Sequence, residues 1–321
     1  MSERDNLPRW DGRRGRYEVW FLTLSHADAG YWIRYTVRAP IAGPPEPKLW
    51  FARFERERGA FGLSVRGPGV RTAGEPFEVE IGECSLRSGR AVGSIAAGGR
   101  VVRWDLSFGT GGPTYRLLPD AMYRGGLAPT LPWSPNPTTT FDGVIEVDGR
   151  AVEIAGAPGQ QGHLYGTRHA ERWAWAAATG DDGTAFQALS AQGRRGPFLT
   201  PYLTSAGVRV DGEWVRLHAI ARHRTWGLGW WRITMRSRRH RLDGTVRAEP
   251  DAMLRARYLD PDDTPRWCHN SEAASARVVL WERRAGGWTE VAEIRAEGTA
   301  HAEWAGRTPA GAVSHELLEA A

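Results

Sequence analysis

Apolar and polar residues alternate one for one along much of this chain. Val102, Trp104, Leu106 and Phe108 alternate with Arg103, Asp105 and Ser107, which puts the apolar set on one face of a half-buried strand. The same texture recurs at Tyr31–Arg38, Glu78–Ile81, Val144–Val147, Val208–Val210, Trp214–Leu217, Trp231–Met235 and Arg277–Trp281, all rich in aromatic or β-branched residues. Between such runs stand Asp148-Gly149, Asp182-Gly183, Asp211-Gly212, Asp243-Gly244 and Gly286-Gly287, dipeptides suited to the positive φ angles of two-residue hairpin loops. No segment of about twelve residues or more keeps a 3.6-residue apolar period with caps, although Ser314–Ala321 is compatible with a short terminal helix. The pattern predicts an all-β protein of antiparallel hairpins, closed as a barrel or sandwich or as two of them.

Gly and Pro interrupt the strand chemistry at Ala155-Gly156-Ala157-Pro158-Gly159 and divide the chain into expected domains 1–157 and 158–321. Ala128–Thr140 carries Pro129, Pro132, Pro135 and Pro137, and reads as an extended, poorly ladder-bonded crossing loop within the first half. No sequence repeat joins the halves. With 41% hydrophobic and 25% charged residues among 321, the chain is a folded globular one. Its 16 tryptophans are the one excess, and they point to wide apolar surfaces or an aromatic-lined cavity.

The formal charge of +5 is mild, and Lys48 is the only lysine among 42 basic residues. The densest basic stretch, Arg232–Arg241, interleaves with Ile233 and Met235 as a strand with one solvated face would, so no nucleic-acid partner is expected. Cys84 and Cys268 are too few for a disulfide framework and suggest a reducing compartment. Met1–Trp20 is charged and lacks the apolar run of a signal peptide. The longest apolar run, Trp173–Ala178, is far short of the roughly 18 residues of a membrane span. A cytoplasmic protein is expected, touching a membrane at most peripherally.

Phosphate-loop, dinucleotide-binding, nucleophile-elbow, zincin and paired C-x-x-C signatures are all missing. Cys268-His269 could suggest a thiol with its base, but neighbours on a strand point to opposite faces. The segment Gly162–Trp175 is different. Before Gly166, His163 and Tyr165 share one face; after it, His169, Glu171, Trp173 and Trp175 share another. Titratable groups beside indole rings suit a reaction in which an acid protonates an alkene and aromatic faces stabilise the resulting cation. The same residues have plain structural uses: Trp173 and Trp175 as core, Glu171 paired with Arg168 or Arg172, and a buried histidine on a backbone carbonyl. Two histidines and one glutamate without a further ligand do not make a metal site, and no metal is expected.

This segment, Gly162-His163-Leu164-Tyr165-Gly166-Thr167-Arg168-His169-Ala170-Glu171-Arg172-Trp173-Ala174-Trp175, resembles the central signature of the carotenoid 1,2-hydratase (hydroxyneurosporene synthase) and AttH-type lipocalin-like family, itself related to tocopherol cyclases. Tyr31–Thr36, Phe141–Arg150 and Asp260–Ser271 resemble further segments of that family. The resemblance implies two lipocalin-like β domains side by side, an apolar site near their junction, and hydration or cyclisation of a hydrophobic polyene or isoprenoid-like small molecule without a cofactor. It maps His163 onto the family histidine, places Tyr165 where the hydratases carry tryptophan and Leu164 where asparagine is common, and leaves Ser190-Ala191-Gln192 where a Tyr-x-Asp pair belongs. Catalytic roles are therefore expected of His163, Glu171 and Tyr165, and substrate contacts of His169, Trp173 and Trp175. The alternative is a non-catalytic lipocalin-like carrier of an apolar ligand. Neither reading sets an oligomeric state.

Overall fold

The computed structural model describes residues 3–56, 59–124, 126–180 and 183–320, so Asp181 and Asp182, including the first residue of the expected Asp182-Gly183 turn, lie outside the described residues. Among the described residues the chain forms 24 strands and three short 3-10 turns, with no α-helix. The strands build two sheets of 13 and 11, antiparallel apart from two short pairings near the C-terminus. This is the expected all-β architecture of two lipocalin-like domains packed side by side. No helix among these residues is long and apolar enough to cross a membrane.

Local chemistry explains most of the elements. Asp148-Gly149 and Asp211-Gly212 take positive φ at both positions (51° and 78°, 50° and 83°), as two-residue hairpin loops require. Asp243-Gly244 does not turn. It lies inside the strand His240–Arg247, because the alternation Leu242, Gly244, Val246 runs straight through it, and Gly244 leaves room for Val278 of the neighbouring strand.

Each sheet wraps its own core. The first is filled by Trp20, Ile33, Tyr35, Phe51, Trp104 and their neighbours, the second by small and branched residues such as Ala174, Ala188, Ala206, Val278 and Leu280 around Phe186 and Trp231. In the first core the Tyr35 hydroxyl accepts the Trp104 indole N–H at 2.9 Å and faces the Ser85 and Val92 carbonyls at 3.0 and 3.1 Å, so the polar tip of a fully buried ring is satisfied.

The strands Arg16–His26 and Ala29–Ala39 are buried on both faces. Glu18, Trp20, Leu22 and Leu24 turn toward the first core; Tyr17, Val19 and Phe21 turn outward to a third apolar cluster shared with Trp173, Trp175, Tyr258 and Cys268 of the second sheet. That cluster is the seam between the sheets.

The passage between sheets falls at 167–171, beyond the expected break at 157/158. The strand Arg150–Gly166 belongs wholly to the first sheet, where it pairs with Arg16–His26. Gly159 and Gly162 serve close approach rather than a linker: a Cβ at Gly162 would lie 1.8 Å from the Phe21 ring, and one at Gly159 would lie 2.1 Å from the Thr23 carbonyl. Likewise 130–147 is a strand and not a crossing loop, although its pairing skips between Trp133 and Asn136 and between Asn136 and Thr139, around Pro135 and Pro137, which lack N–H donors. The expected C-terminal helix is absent. His315–Glu316 pairs with Leu254 and Arg255 of the second sheet, and Leu318–Ala320 with Leu63–Val65 of the first, so the chain end straps the two sheets together.

Gly30 tests the seam. A Cβ there would lie 2.4 Å from both Cβ and the carbonyl oxygen of Glu272, neither of which can swing away. Gly30→Ala is expected to destabilise the protein by about 1–3 kcal/mol, read as a lower urea midpoint with an unchanged slope; an unaltered midpoint would show that the sheets separate freely at this point.

Candidate functional site

A cavity of about 1030 Å³ opens in the seam. The first sheet contributes Val19, Phe21, Trp32 and Arg34, the second His169, Trp173, Trp175, Tyr258 and Glu303; exposed Leu127 and Ile41 stand at its edge. Of the residues singled out in the sequence, His169, Trp173 and Trp175 line this chamber. His163, Tyr165 and Glu171 are absent from its lining.

Strand parity explains the first two absences. His163 pairs with Trp20 and so inherits the inward face of the first sheet, where it is fully buried between the indoles of Trp20 and Trp133 at centroid distances of 5.1 and 5.2 Å. Its Nδ1 lies 2.7 Å from the Asp5 carbonyl and its Nε2 2.7 Å from Glu18 Oε1. Glu18 also accepts the backbone N–H groups of Arg9 and Trp10 at 2.8 Å each. The histidine therefore fastens residues 5–10 over the end of the first core. Tyr165 stands on the same face, opposite Glu18 in the ladder, and is half-buried.

Glu171 is clasped by arginines. Its carboxylate accepts Arg307 Nε at 2.5 Å and Arg194 Nε at 3.0 Å, with Arg266 Nη2 at 3.7 Å. Burial would raise its pKa, but the hydrogen bonds from Arg307 and Arg194 outweigh burial and hold the group below the ordinary carboxylate range. It is an anion fixed in place. Neither partner expected from spacing, Arg168 or Arg172, takes part.

His169 has the opposite situation. It begins the second sheet's share of the seam and stacks on Tyr17 at 4.4 Å, Trp173 at 5.6 Å and Tyr258 at 5.7 Å. Asp260 Oδ1 accepts both its backbone N–H and its ring Nδ1–H at 2.7 Å, and Arg266 steadies the other oxygen of Asp260 at 3.3 Å. With Nδ1 donating to the carboxylate, Nε2 carries the lone pair.

Glu303, which the sequence reading passed over, supplies a carboxyl group of the chamber wall beside the indoles; Asp262 lines the chamber as well. Glu303 pairs with Trp175 across the ladder. Trp173 Nε1–H donates to its Oε1, and the Cys268 thiol lies 3.4 Å from Oε2 and 2.8 Å from Asn270 Oδ1. Burial, followed by the nearby Glu303, pushes the Cys268 thiol well above its ordinary pKa, so it stays protonated and is no nucleophile. His269 points to the other face, its Nδ1 donating to the Trp304 carbonyl and its Nε2 accepting the Ala310 N–H, both at 3.0 Å. A signal for Glu303 does exist in Ala300-His301-Ala302-Glu303: alanines face the second core, which leaves His301 and Glu303 together on the seam face. On the strand where the resemblance places a Tyr-x-Asp pair, Leu189 and Ala191 line the chamber, and Ser190 and Gln192 turn away from it. Among the described residues no group of three or more His, Cys, Asp or Glu side chains converges to hold a metal ion.

The clasp on Glu171 makes stability depend on pH in a defined direction. Because its folded pKa is depressed, its contribution is fully present above the unfolded carboxylate pKa and is lost as pH falls through the lower folded value. Glu171→Gln is expected to cost about 1.5–3 kcal/mol at neutral pH, measured by chemical denaturation, with the gap to the wild type closing as pH is lowered through the carboxylate range. A gap that stays constant down to strongly acidic pH would show that the arginines do not depend on its charge.

A model of the tocopherol cyclase-like family matches residues 138–306. The chain is 27% identical over 305 residues to the uncharacterized proteins MT0513 and Rv0493c of two Mycobacterium tuberculosis strains, covering 92% of this chain and 88% of each relative. Among solved structures it resembles a protein assigned as AttH (NE1406) from Nitrosomonas europaea, with a TM-score of 0.56, 14% identity and coverage of 95% and 96% of the two chains. It also resembles kievitone hydratase from Nectria haematococca, with a TM-score of 0.50, 12% identity and coverage of 96% and 92%. At such identities these two likenesses speak for the fold alone. The family match spans just over half of the chain and takes in His169, Trp173, Trp175, Tyr258, Asp260 and Glu303: this chain belongs to the tocopherol cyclase-like family.

Proposed function

We propose that the protein adds an O–H group across a carbon–carbon double bond of a hydrophobic, unsaturated small molecule held in the seam chamber. Water as the O–H donor makes the reaction a hydration; a hydroxyl of the same molecule makes it a ring closure. The observation that carries this reading is that a carboxyl group, Glu303, and an imidazole oriented by a carboxylate, His169 on Asp260, face one apolar, indole-walled cavity. Family membership and a fold shared with a hydratase support it.

Glu303, in its acid form, gives its proton to one alkene carbon. The indole faces of Trp173 and Trp175 stabilise the positive charge on the adjacent carbon. The oxygen nucleophile bonds to that carbon, and His169 Nε2 takes the proton the oxygen loses. Transfer of that proton back to Glu303 through water closes the cycle, and the enzyme's own side chains suffice for every step. The acid and base roles thus fall to Glu303 and His169, with His163 anchoring the N-terminal residues and Glu171 joining the arginines of the second sheet. A hydrophobic small-molecule partner fits a cavity walled by Trp173 and Trp175.

Solvent extraction of the purified protein and mass spectrometry identify the bound molecule, and its conversion is then followed in the wild type, Glu303→Gln and His169→Gln. Each substitution is expected to slow turnover by about 100-fold or more while the ligand is still retained. Recovery of one unconverted molecule from all three proteins would overturn the catalytic reading in favour of a carrier.

A further inference from the structure

Two arginines of the seam region are buried, and their surroundings differ. Arg266 is 2% exposed and fully engaged: it faces Asp260 at 3.3 Å and Glu171 at 3.7 Å and donates to the Ala170 and Pro265 carbonyls. Arg34 is 7% exposed and lines the chamber, yet among the described residues no carboxylate pairs with it and its Nε has no hydrogen-bond partner. Only rings attend it. The guanidinium lies over Tyr258 at 4.3 Å, Trp50 at 5.4 Å and Trp32 at 5.6 Å. Aromatic faces attract a cation but accept none of the five N–H bonds that a guanidinium offers, and a buried charge left so is costly. The Tyr258 hydroxyl is no counter-charge, because burial keeps its pKa well above the ordinary value and the group neutral. Nor is either carboxyl group of the lining: the Glu303 oxygens face Trp173 and Cys268, and Asp262 accepts the Thr264 N–H.

We infer that the chamber takes a ligand with two chemical parts: an apolar unsaturated chain, and a carboxylate head that Arg34 binds. The inference rests on the seam chamber being the ligand site, as proposed above, and names the class of molecule that fits it. A planar guanidinium offers two parallel N–H groups to a planar carboxylate, and in a low-dielectric wall such a pair is strong. Arg34, Tyr258 and Glu303 line the same chamber, so a head held at Arg34 leaves the chain in the cavity that Glu303 faces. Charge balance favours the same ligand. A bare guanidinium would oppose a carbocation in the same cavity, whereas a carboxylate bound to it cancels that field.

All-trans-retinoic acid and all-trans-retinol share a polyene skeleton and differ at the head, and both quench tryptophan fluorescence on binding. The wild type is expected to bind the acid roughly tenfold or more tightly than the alcohol at neutral pH and fixed salt. Arg34→Met is expected to weaken the acid about 10- to 100-fold and leave the alcohol within about twofold, with Arg34→Lys falling between. Equal affinity of the wild type for the two retinoids would overturn the carboxylate assignment while leaving the chamber as a hydrophobic site. That comparison needs no variant, so it stands even if Arg34→Met does not fold. Binding of neither retinoid would overturn the chamber reading and the carboxylate assignment together. Turnover enters none of these measurements, so they are independent of the roles given to Glu303 and His169.

Discussion

Two-sided burial of the seam strands is the constraint on which the site depends. A strand such as Arg16–His26 has no solvent face, so each side chain belongs either to its own sheet's core or to the neighbouring sheet, and the choice alternates residue by residue. Pairing transmits the choice sideways. Trp20 faces inward, hence His163 opposite it does too, and Leu164 one residue on faces the chamber. A shift of one residue in that ladder would exchange the two sets. Glycines make the double burial feasible where backbone must approach ring or backbone, as Gly162 does against Phe21 and Gly30 against Glu272.

Polar groups within the seam hold its indoles still. Trp175 packs edge-on against Phe21 at 5.2 Å and against His301 at 4.1 Å, and its N–H donates to Gln187 Oε1 at 3.3 Å; Gln187 in turn donates to Gln160 of the first sheet. His301 is itself tied to Glu272. Burial raises the pKa of Glu272, and Glu272 outweighs burial at His301 and raises that pKa as well, so both shifts favour a proton held between the two. A wall fixed from several sides suits a cation-forming reaction, because its ring faces need no reorganisation as charge develops.

Fold class was legible because period-two alternation and Asp-Gly turns are local, and both act through the backbone of a few residues. Sheet membership was not. Gly156, Pro158 and Gly159 look like a linker in one dimension, and only the ladder to Arg16–His26 and the nearness of Thr23 to Gly159, far away in sequence, show a packed strand there. The face of His163 failed for a related reason: alternation says that His163 and Tyr165 point the same way but not which way. Parity also does not survive the passage at 167–171, so the two halves of the signature segment carry separate orientations. Glu303 could have been found, since alanine alternating with His301 and Glu303 marks a strand with a tight core face and a polar opposite face. Asp260 and Arg34 lie in segments whose family likeness was visible, but their parts in the site depend on His169 and Tyr258, which only folding brings near.

Glu171 and Glu303 are two carboxylates in contrasting surroundings. Glu171 ends the passage between the sheets and Glu303 lies in the second sheet, both beside the seam. Glu171 has three, and their charges favour one protonation state so strongly that the group cannot exchange a proton cheaply. Glu303 is met by an indole N–H and a thiol, donors without charge. Such donors orient a carboxyl group. The same logic read from the cation's side separates Arg266, neutralised by two acids, from Arg34, neutralised by none. In a basic protein the informative residues of a site are thus the charged side chains whose ordinary partners the fold has kept away.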